Sequence, residues 1–189
     1  MPPKARFSKE QMLDAAFKLV RKEGISYLTA RSLASTLGCS TQPIYRVYGS
    51  IDAVKEDIYN HAAAIALEFL MGNSEDPPFL SIGYGFLRFA QQEPHLYHLL
   101  MQSPSALETM LSGETPEIIF EQIRLIPIMA ALSKEQLNRI NLLMWFFIKG
   151  VATLFNTDSD KDQMPLAQEL LRMAGEAIIA WETKEDTNR

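Results

Sequence analysis

A chain of 189 residues, 47% hydrophobic and 22% charged, has the composition of a globular protein with one good core or a small domain joined to a larger one, and its single cysteine, Cys39, excludes an intrachain disulfide or a cysteine-rich zinc site. The net charge of −5 argues against a nucleic-acid partner only until the chain is divided: residues 1–46 hold eight Lys or Arg against three Asp or Glu, a balance of +5, and the remainder carries −10. A basic amino-terminal piece on an acidic body suits docking on DNA by one end, because phosphates repel the body.

Lys4, Arg6 and Lys9 lie at or before the start of a first helix and read as a basic arm or, equally, as a solvated terminus. Ser8 and Gln11 stand in capping-box spacing, and Met12, Ala16 and Leu19 beside Leu13, Phe17 and Val20 give this helix a wide apolar stripe as far as Glu23, where Gly24 closes it. Thr29 caps a second helix, whose Ala30, Leu33, Ala34 and Leu37 fall at i, i+3, i+4 and i+7. Gly38 ends it, since the turn needs a residue that tolerates positive φ. Cys39, in the turn, is expected to be a small buried filler. Ser40 or Thr41 caps a third helix, with Pro43 in its first turn, where a missing N–H does no harm. Ile44 and Tyr48 face inward, while Ser40, Thr41, Gln42, Tyr45 and Arg46 face outward. Small Ala34, Gly38 four residues on and Ile44 six after that allow the close crossing of a helix-turn-helix over residues 29–48. Hydrogen-bonding side chains then occupy the leading end of a helix, the end that enters a major groove.

Gly49 and Ser50 mark a break, with Ser50 the cap of a fourth helix that runs to about Met71 and carries Val54, Ile58, Ala62, Ile65 and Phe69 at helical spacing. At about 1.5 Å per residue it is roughly 30 Å long, a strut leading out of the first three helices. Residues 72–78 form a loop by composition. Phe79 to Gln92 reads as helix despite Gly83 and Gly85, Pro94 interrupts it, and a short helix from His95 to about Gln102 follows. Ser103 and Pro104 open a short segment ending near Gly113. Thr115 and Pro116 begin a helix through Ile118, Ile119, Ile123 and Ile126 toward Ala131.

Ser133 and Gln136 repeat the capping box, and Leu137, Ile140, Met144, Phe147, Val151 and Leu154 recur at three- and four-residue steps. Leu142, Trp145, Phe146, Ile148 and Phe155 fill the other faces, so this helix must be covered on two sides. After a polar, acidic loop over residues 156–163, the last helix shows Leu166, Leu170, Met173, Ala177 and Trp181 on one face and Ala167, Leu171, Ala174 and Ile178 on a neighbouring one. Two such helices predict a four-helix bundle with a second copy, a homodimer through the last two helices; the alternative is that both lie in the middle of their own domain. The expected fold is all-α, with a helix-turn-helix unit in residues 1–50 and a helical ligand-binding and dimerisation domain in residues 51–189. The longest apolar block, Leu142 to Phe155, contains Lys149 and is too short to span a bilayer. No apolar signal segment follows the first residues, so a cytoplasmic protein with no membrane partner is expected.

With those residues in hand, the chain resembles the TetR family of transcriptional regulators. The likeness covers about residues 6–60: a first helix ending in Gly24, then Leu28-Thr29-Ala30-Arg31-Ser32-Leu33-Ala34, the turn Leu37-Gly38-Cys39-Ser40, and Ile44-Tyr45-Arg46-Val47-Tyr48 running into Asp52-Ala53-Val54. Beyond residue 60, Phe89-Ala90 through Glu93-Pro94-His95-Leu96-Tyr97, and Trp145 to Leu154, look like ligand-domain segments of the same family. The resemblance implies that Thr29, Arg31, Ser40, Thr41, Gln42, Tyr45 and Arg46 face DNA, Tyr45 and Arg46 mainly on phosphates. Where many members place a lysine near the start of the fourth helix this chain has Ile51, and Lys55, one turn on, is the substitute phosphate contact.

Gln42 and Thr41 suit base edges, since an amide pairs with adenine and a hydroxyl with several edges; the alternative is that both only cap the helix. His95 and His98, three apart with only Glu93 near them, suggest a metal site less than a helix-surface or pocket role. No Ser-His-Asp pattern, glycine-rich phosphate loop or carboxylate pair stands out, so neither enzymatic activity nor a cofactor is expected. Phe86, Phe89, Tyr97, Met101, Met110, Phe120, Met144 and Trp145 are core residues or, as a set, the lining of a pocket for a largely hydrophobic ligand, with His95, His98, Tyr97 or Arg124 to orient it. The expected protein is a dimeric repressor on double-stranded operator DNA with inverted-repeat half-sites. A small-molecule effector in the body would release it by tilting the helix from Ile51 to Met71. An all-helical adaptor, whose body binds a protein partner while the helix-turn-helix localises it on DNA, is the alternative. A metal-dependent enzyme using His95 and His98 is the last reading.

Overall fold

The structure is a computed structural model that describes residues 7–71, 78–102, 121, 123–155 and 163–185. Among the described residues every regular element is helical: α1 (Lys9–Glu23), a 3₁₀ turn (Ile25–Tyr27), α2 (Ala30–Leu37), α3 (Gln42–Tyr48), α4 (Ile51–Met71), α5 (Pro78–Gln92), α6 (Pro94–Met101), α7 (Pro127–Ala130), α8 (Lys134–Phe155) and α9 (Met164–Glu185). The chain divides into two compact units, Met1–Ile65 with Glu93–Gln102, and Ala66–Gln92 with Ser103–Arg189.

In the first unit α1 packs on α2, α3 and α6 through the stripe that buries Met12, Ala16 and Val20. Its start is locked by the reciprocal box: the Ser8 N–H donates to Gln11 Oε1 at 2.9 Å and the Gln11 N–H to Ser8 Oγ at 3.1 Å. Thr29 caps α2 in the same way with Ser32 as its partner, and Leu33 and Ala34 are buried beneath it. Gly38 then takes the left-handed conformation, φ 64° and ψ 39°, which lets the Cys39 N–H close on the Ala34 carbonyl at 3.0 Å. Cys39, within the turn, is half-buried and not the buried filler expected. Ile44 of α3 is inaccessible, while Tyr48 is only half-buried. The Ser50 hydroxyl accepts from the Ala53 N–H at 3.1 Å at the start of α4, whose Val54, Ile58 and Ala62 complete the core. α6 adds Leu96, Tyr97 and Leu100 to the buried set.

In the second unit α5, α8 and α9 pack on one another in every pairing. The α5 glycines explain how a helix with two poor helix formers persists. A Cβ at Gly83 would lie 2.6 Å from Leu171 Cδ2, and one at Gly85 would lie 2.2 Å from the Phe69 carbonyl oxygen. The absent side chains are what allow neighbours to approach. A second cluster joins Ile123, Met129, Leu132, Leu137, Ile140 and Ile179, with Met144 half-buried against it. The Ser133 box forms at the start of α8, and Gln136 does more than cap: its Nε2 donates to the Glu182 backbone carbonyl at 2.9 Å. Arg139 donates to the same residue's carboxylate through Nε at 2.9 Å and Nη2 at 2.6 Å, so a carboxylate of a residue only 2% exposed has two-pronged compensation.

One expected helix is corrected. The run toward Ala131 is broken at Leu125 and Ile126, and α7 starts afresh at Pro127 with Ile126 extended at φ −87°, ψ 118°. A proline disfavours the helical conformation of the residue before it, and the apolar spacing had masked that. The start at Thr115 and Pro116, Ile118 and Ile119, the segment from Ser103 to Gly113, Lys4 and Arg6, and the loop residues 72–77 and 156–162 lie outside the described residues.

Candidate nucleic-acid interface

The candidate surface is the outer side of α3 with the residues just before it. Ser40, Gln42 and Arg46 are exposed, Tyr45 is 49% exposed, and Thr41 is half-buried. Ile44 anchors the opposite side of the helix in the core, which fixes which residues point out. Thr41 occupies the cap position, yet its backbone is already helical at φ −70°, ψ −18° and its side chain makes no cap bond. The expected hydroxyl cap of α3 is therefore absent: a capping side chain needs an extended backbone at that position.

Thr29 and Arg31 are exposed at the start of α2, but the Thr29 hydroxyl is occupied by the cap, accepting from the Ser32 N–H at 3.0 Å. Arg31 and Arg46 form no ion pair among the described residues. Lys55 meets Asp52 at 3.0 Å in an exposed contact of the kind that contributes about 0–1 kcal/mol, weak enough to be exchanged for another anion. The surface thus offers an amide, hydroxyls and a phenol for base edges and sugar-phosphate oxygens, with fixed positive charge beside them.

Behind α3 lies a group that residue spacing did not show. Lys9 Nζ is 2.8 Å from Asp57 Oδ2 and 5.0 Å from the centre of the Tyr48 ring, and the Tyr48 hydroxyl donates to the Lys9 carbonyl at 3.4 Å. Lys9 is therefore not a residue of a loose arm; it is tied to α3 and α4. Burial, with the Asp57 charge second, pushes the Tyr48 phenol up to about 12, while the hydrogen bond from Lys9 holds the Asp57 carboxyl below its ordinary value.

The candidate ligand residues do not fall in one unit. Tyr97, buried, and Met101, half-buried, belong to the first; Phe86, Phe89, Arg124, Met144 and Trp145 belong to the second. Phe89 is 1% exposed with its ring 5.6 Å from that of Phe69, Met144 is a core contact, and Arg124 is exposed. Trp145 is half-buried, edge-on to Phe146 at 5.9 Å and under Lys149 Nζ at 4.8 Å. Phe120 and Met110 lie outside the described residues. His95 sits against Gly24, where a Cβ would be 3.3 Å from its Nδ1, and exposed His98 packs edge-on to Tyr97 at 5.6 Å. Among the described residues no group of three or more His, Cys, Asp or Glu is placed to hold a metal, and no helix is long and apolar enough to cross a membrane.

No model of a known protein family matches this chain, and no curated protein matches it.

Proposed function

We propose that the chain is a sequence-specific DNA-binding regulator of TetR type, with α2 and α3 as its helix-turn-helix and α3 as the reading helix. The observation that carries this reading is the tip of α3, where Ser40, Gln42, Tyr45 and Arg46 all face solvent while Ile44 is fully buried, and where Thr41 is not used as a cap. Polar side chains at the leading end of an outward-presented helix are what base reading requires, and the +5 balance of residues 1–46 supplies the phosphate attraction.

The working form is a homodimer. Leu166, Leu170, Met173 and Trp181 are exposed on one face of α9, Trp181 by 66%, and Leu143 and Phe146 are exposed on α8. Covering these faces with those of a second copy gives a four-helix bundle and two reading helices on one two-fold axis. The target is then an inverted repeat with half-sites about 34 Å apart. A small, largely hydrophobic effector that prefers the DNA-incompetent form by about 1–3 kcal/mol lowers operator affinity roughly five- to 150-fold, which is sufficient for derepression. Selection of bound sequences from a random duplex pool tests the reading. It predicts enrichment of a two-fold-symmetric site, and a pool that stays random after several rounds refutes it.

A further inference from the structure

We propose that Lys9, Tyr48 and Asp57 form a clamp that sets the position of α3, and that Lys9 is a positioning residue and not a phosphate contact. The inference rests on the DNA-binding reading for its consequence, but its geometry stands apart from it. Three helices meet in the group: Lys9 opens α1, Tyr48 closes α3, and Asp57 lies in the second turn of α4. The ammonium reaches the Asp57 carboxylate at 2.8 Å while lying 5.0 Å from the Tyr48 ring centre, so one cation ties the ends of two other helices together. The Tyr48 hydroxyl donates to the Lys9 backbone carbonyl at 3.4 Å, a second tie between the end of α3 and the start of α1.

The need for such a clamp follows from the length of α3. It is seven residues long, it has no side-chain cap, and Ile44 is its only fully buried residue. Helices this short have little stability of their own, so their orientation depends on tertiary anchors. Ile44 fixes the middle of α3, and the Tyr48 contacts fix its end against rotation about that point. The Lys9 side chain is 59% exposed, but unlike Lys55, which meets Asp52 alone, its ammonium is held by the Asp57 carboxylate and the Tyr48 ring together, and it is this double engagement that sets it apart from a phosphate contact.

The two roles for Lys9 differ in sign at Asp57. Asp57→Asn removes a negative charge from a protein that binds a polyanion and frees the ammonium, so a phosphate-contact role requires tighter duplex binding. A positioning role requires weaker binding, by up to about fivefold, the loss expected from an ion pair whose lysine is 59% exposed. The experiment measures duplex affinity against salt concentration for the full chain, Asp57→Asn, Tyr48→Phe, Lys9→Met and Lys9→Arg, with amide hydrogen exchange of residues 45–49 followed in parallel. The clamp predicts weaker binding and faster exchange for Asp57→Asn, Tyr48→Phe and Lys9→Met, a slope of log affinity on log salt that Lys9→Met leaves unchanged, and near-complete rescue in Lys9→Arg. Tighter binding by Asp57→Asn, a Lys9→Met slope reduced by about 0.9, or unchanged exchange at residues 45–49 overturns it. If the unmodified protein prefers no duplex while Asp57→Asn still accelerates that exchange, the regulator reading fails and the clamp stands.

Discussion

Arg21 on α1 and Glu93, just before α6, are 72 positions apart and share a two-pronged ion pair, Nε to Oε2 at 2.7 Å and Nη2 to Oε1. Glu93 is 6% exposed, so its carboxylate depends on the guanidinium that meets it. Arg21→Ala is expected to destabilise the protein by about 1–3 kcal/mol, because it strands a buried acceptor; the exposure of Arg21 itself keeps the loss below that of a fully buried pair. Glu93→Gln, which retains hydrogen-bonding capacity without the charge, is expected to cost less. Urea unfolding of the two variants checks this ordering, and equal midpoints for Arg21→Ala and the unmodified protein would contradict it.

Two glycines separate backbone strain from lack of space. Gly38 has φ +64° with nothing within 4 Å of a built Cβ, so Gly38→Ala carries only the left-handed penalty of about 1–2 kcal/mol. At Gly85 the obstruction is the Phe69 backbone at 2.2 Å, which no rotamer change relieves, and Gly85→Ala is expected to cost about 3 kcal/mol or more. Thermal denaturation of both variants tests the ranking, which is reversed if the α4–α5 crossing is loose.

The Tyr48 phenol is pushed up to about 12 by burial first and by the Asp57 charge second. Its folded pKa lies above the unfolded one, so this contribution is complete below about pH 10 and is lost as pH rises toward 12. Tyr48→Phe is therefore expected to lose less stability than the unmodified protein between those limits. The Asp57 carboxyl is shifted the other way, chiefly by the hydrogen bond from Lys9. Its contribution is present above the ordinary carboxylate range and disappears as pH falls through its lowered value. Parallel unfolding curves for Tyr48→Phe and the unmodified protein across alkaline pH would remove the first claim.

Sedimentation equilibrium of the full chain is expected to give twice the 21.4 kDa chain mass. Placing a carboxylate in the exposed α9 face, as Trp181→Glu or Met173→Glu, is expected to shift the equilibrium toward monomer while leaving helicity intact, since both side chains are solvent-exposed within one chain. A monomeric unmodified protein would remove the bundle.

Much of the fold was legible because its signals are local. Ser8, Thr29 and Ser133 announce helix starts through partners three residues away, Gly38 announces a turn through its left-handed backbone, and α4, α8 and α9 repeat apolar residues over five or six turns. The outward set on α3 followed from Ile44 by helix geometry alone. What spacing could not show depends on partners far apart in the chain. The Arg21–Glu93 and Arg139–Glu182 pairs, the return of α6 to the first unit, and the engagement of Lys9 by Asp57 have no local signature. Pro127 does carry a signal, since a proline disfavours the helical conformation of the residue before it, but the regular spacing of the isoleucines points the other way. For Gly83 and Gly85 helix propensity shows only a cost to α5, because the atoms that occupy the missing side-chain space, from Leu171 and Phe69, lie outside that helix.

The most direct measurement is a salt-dependent titration of a pool-selected duplex and a scrambled one with Gln42→Ala and Arg46→Ala. Gln42→Ala is expected to narrow the gap between the two duplexes at one base position while keeping the salt slope. Arg46→Ala is expected to weaken both about equally and to reduce the slope by about one unit. If neither substitution changes discrimination or slope, the tip of α3 does not touch nucleic acid, and the proposed function falls with it.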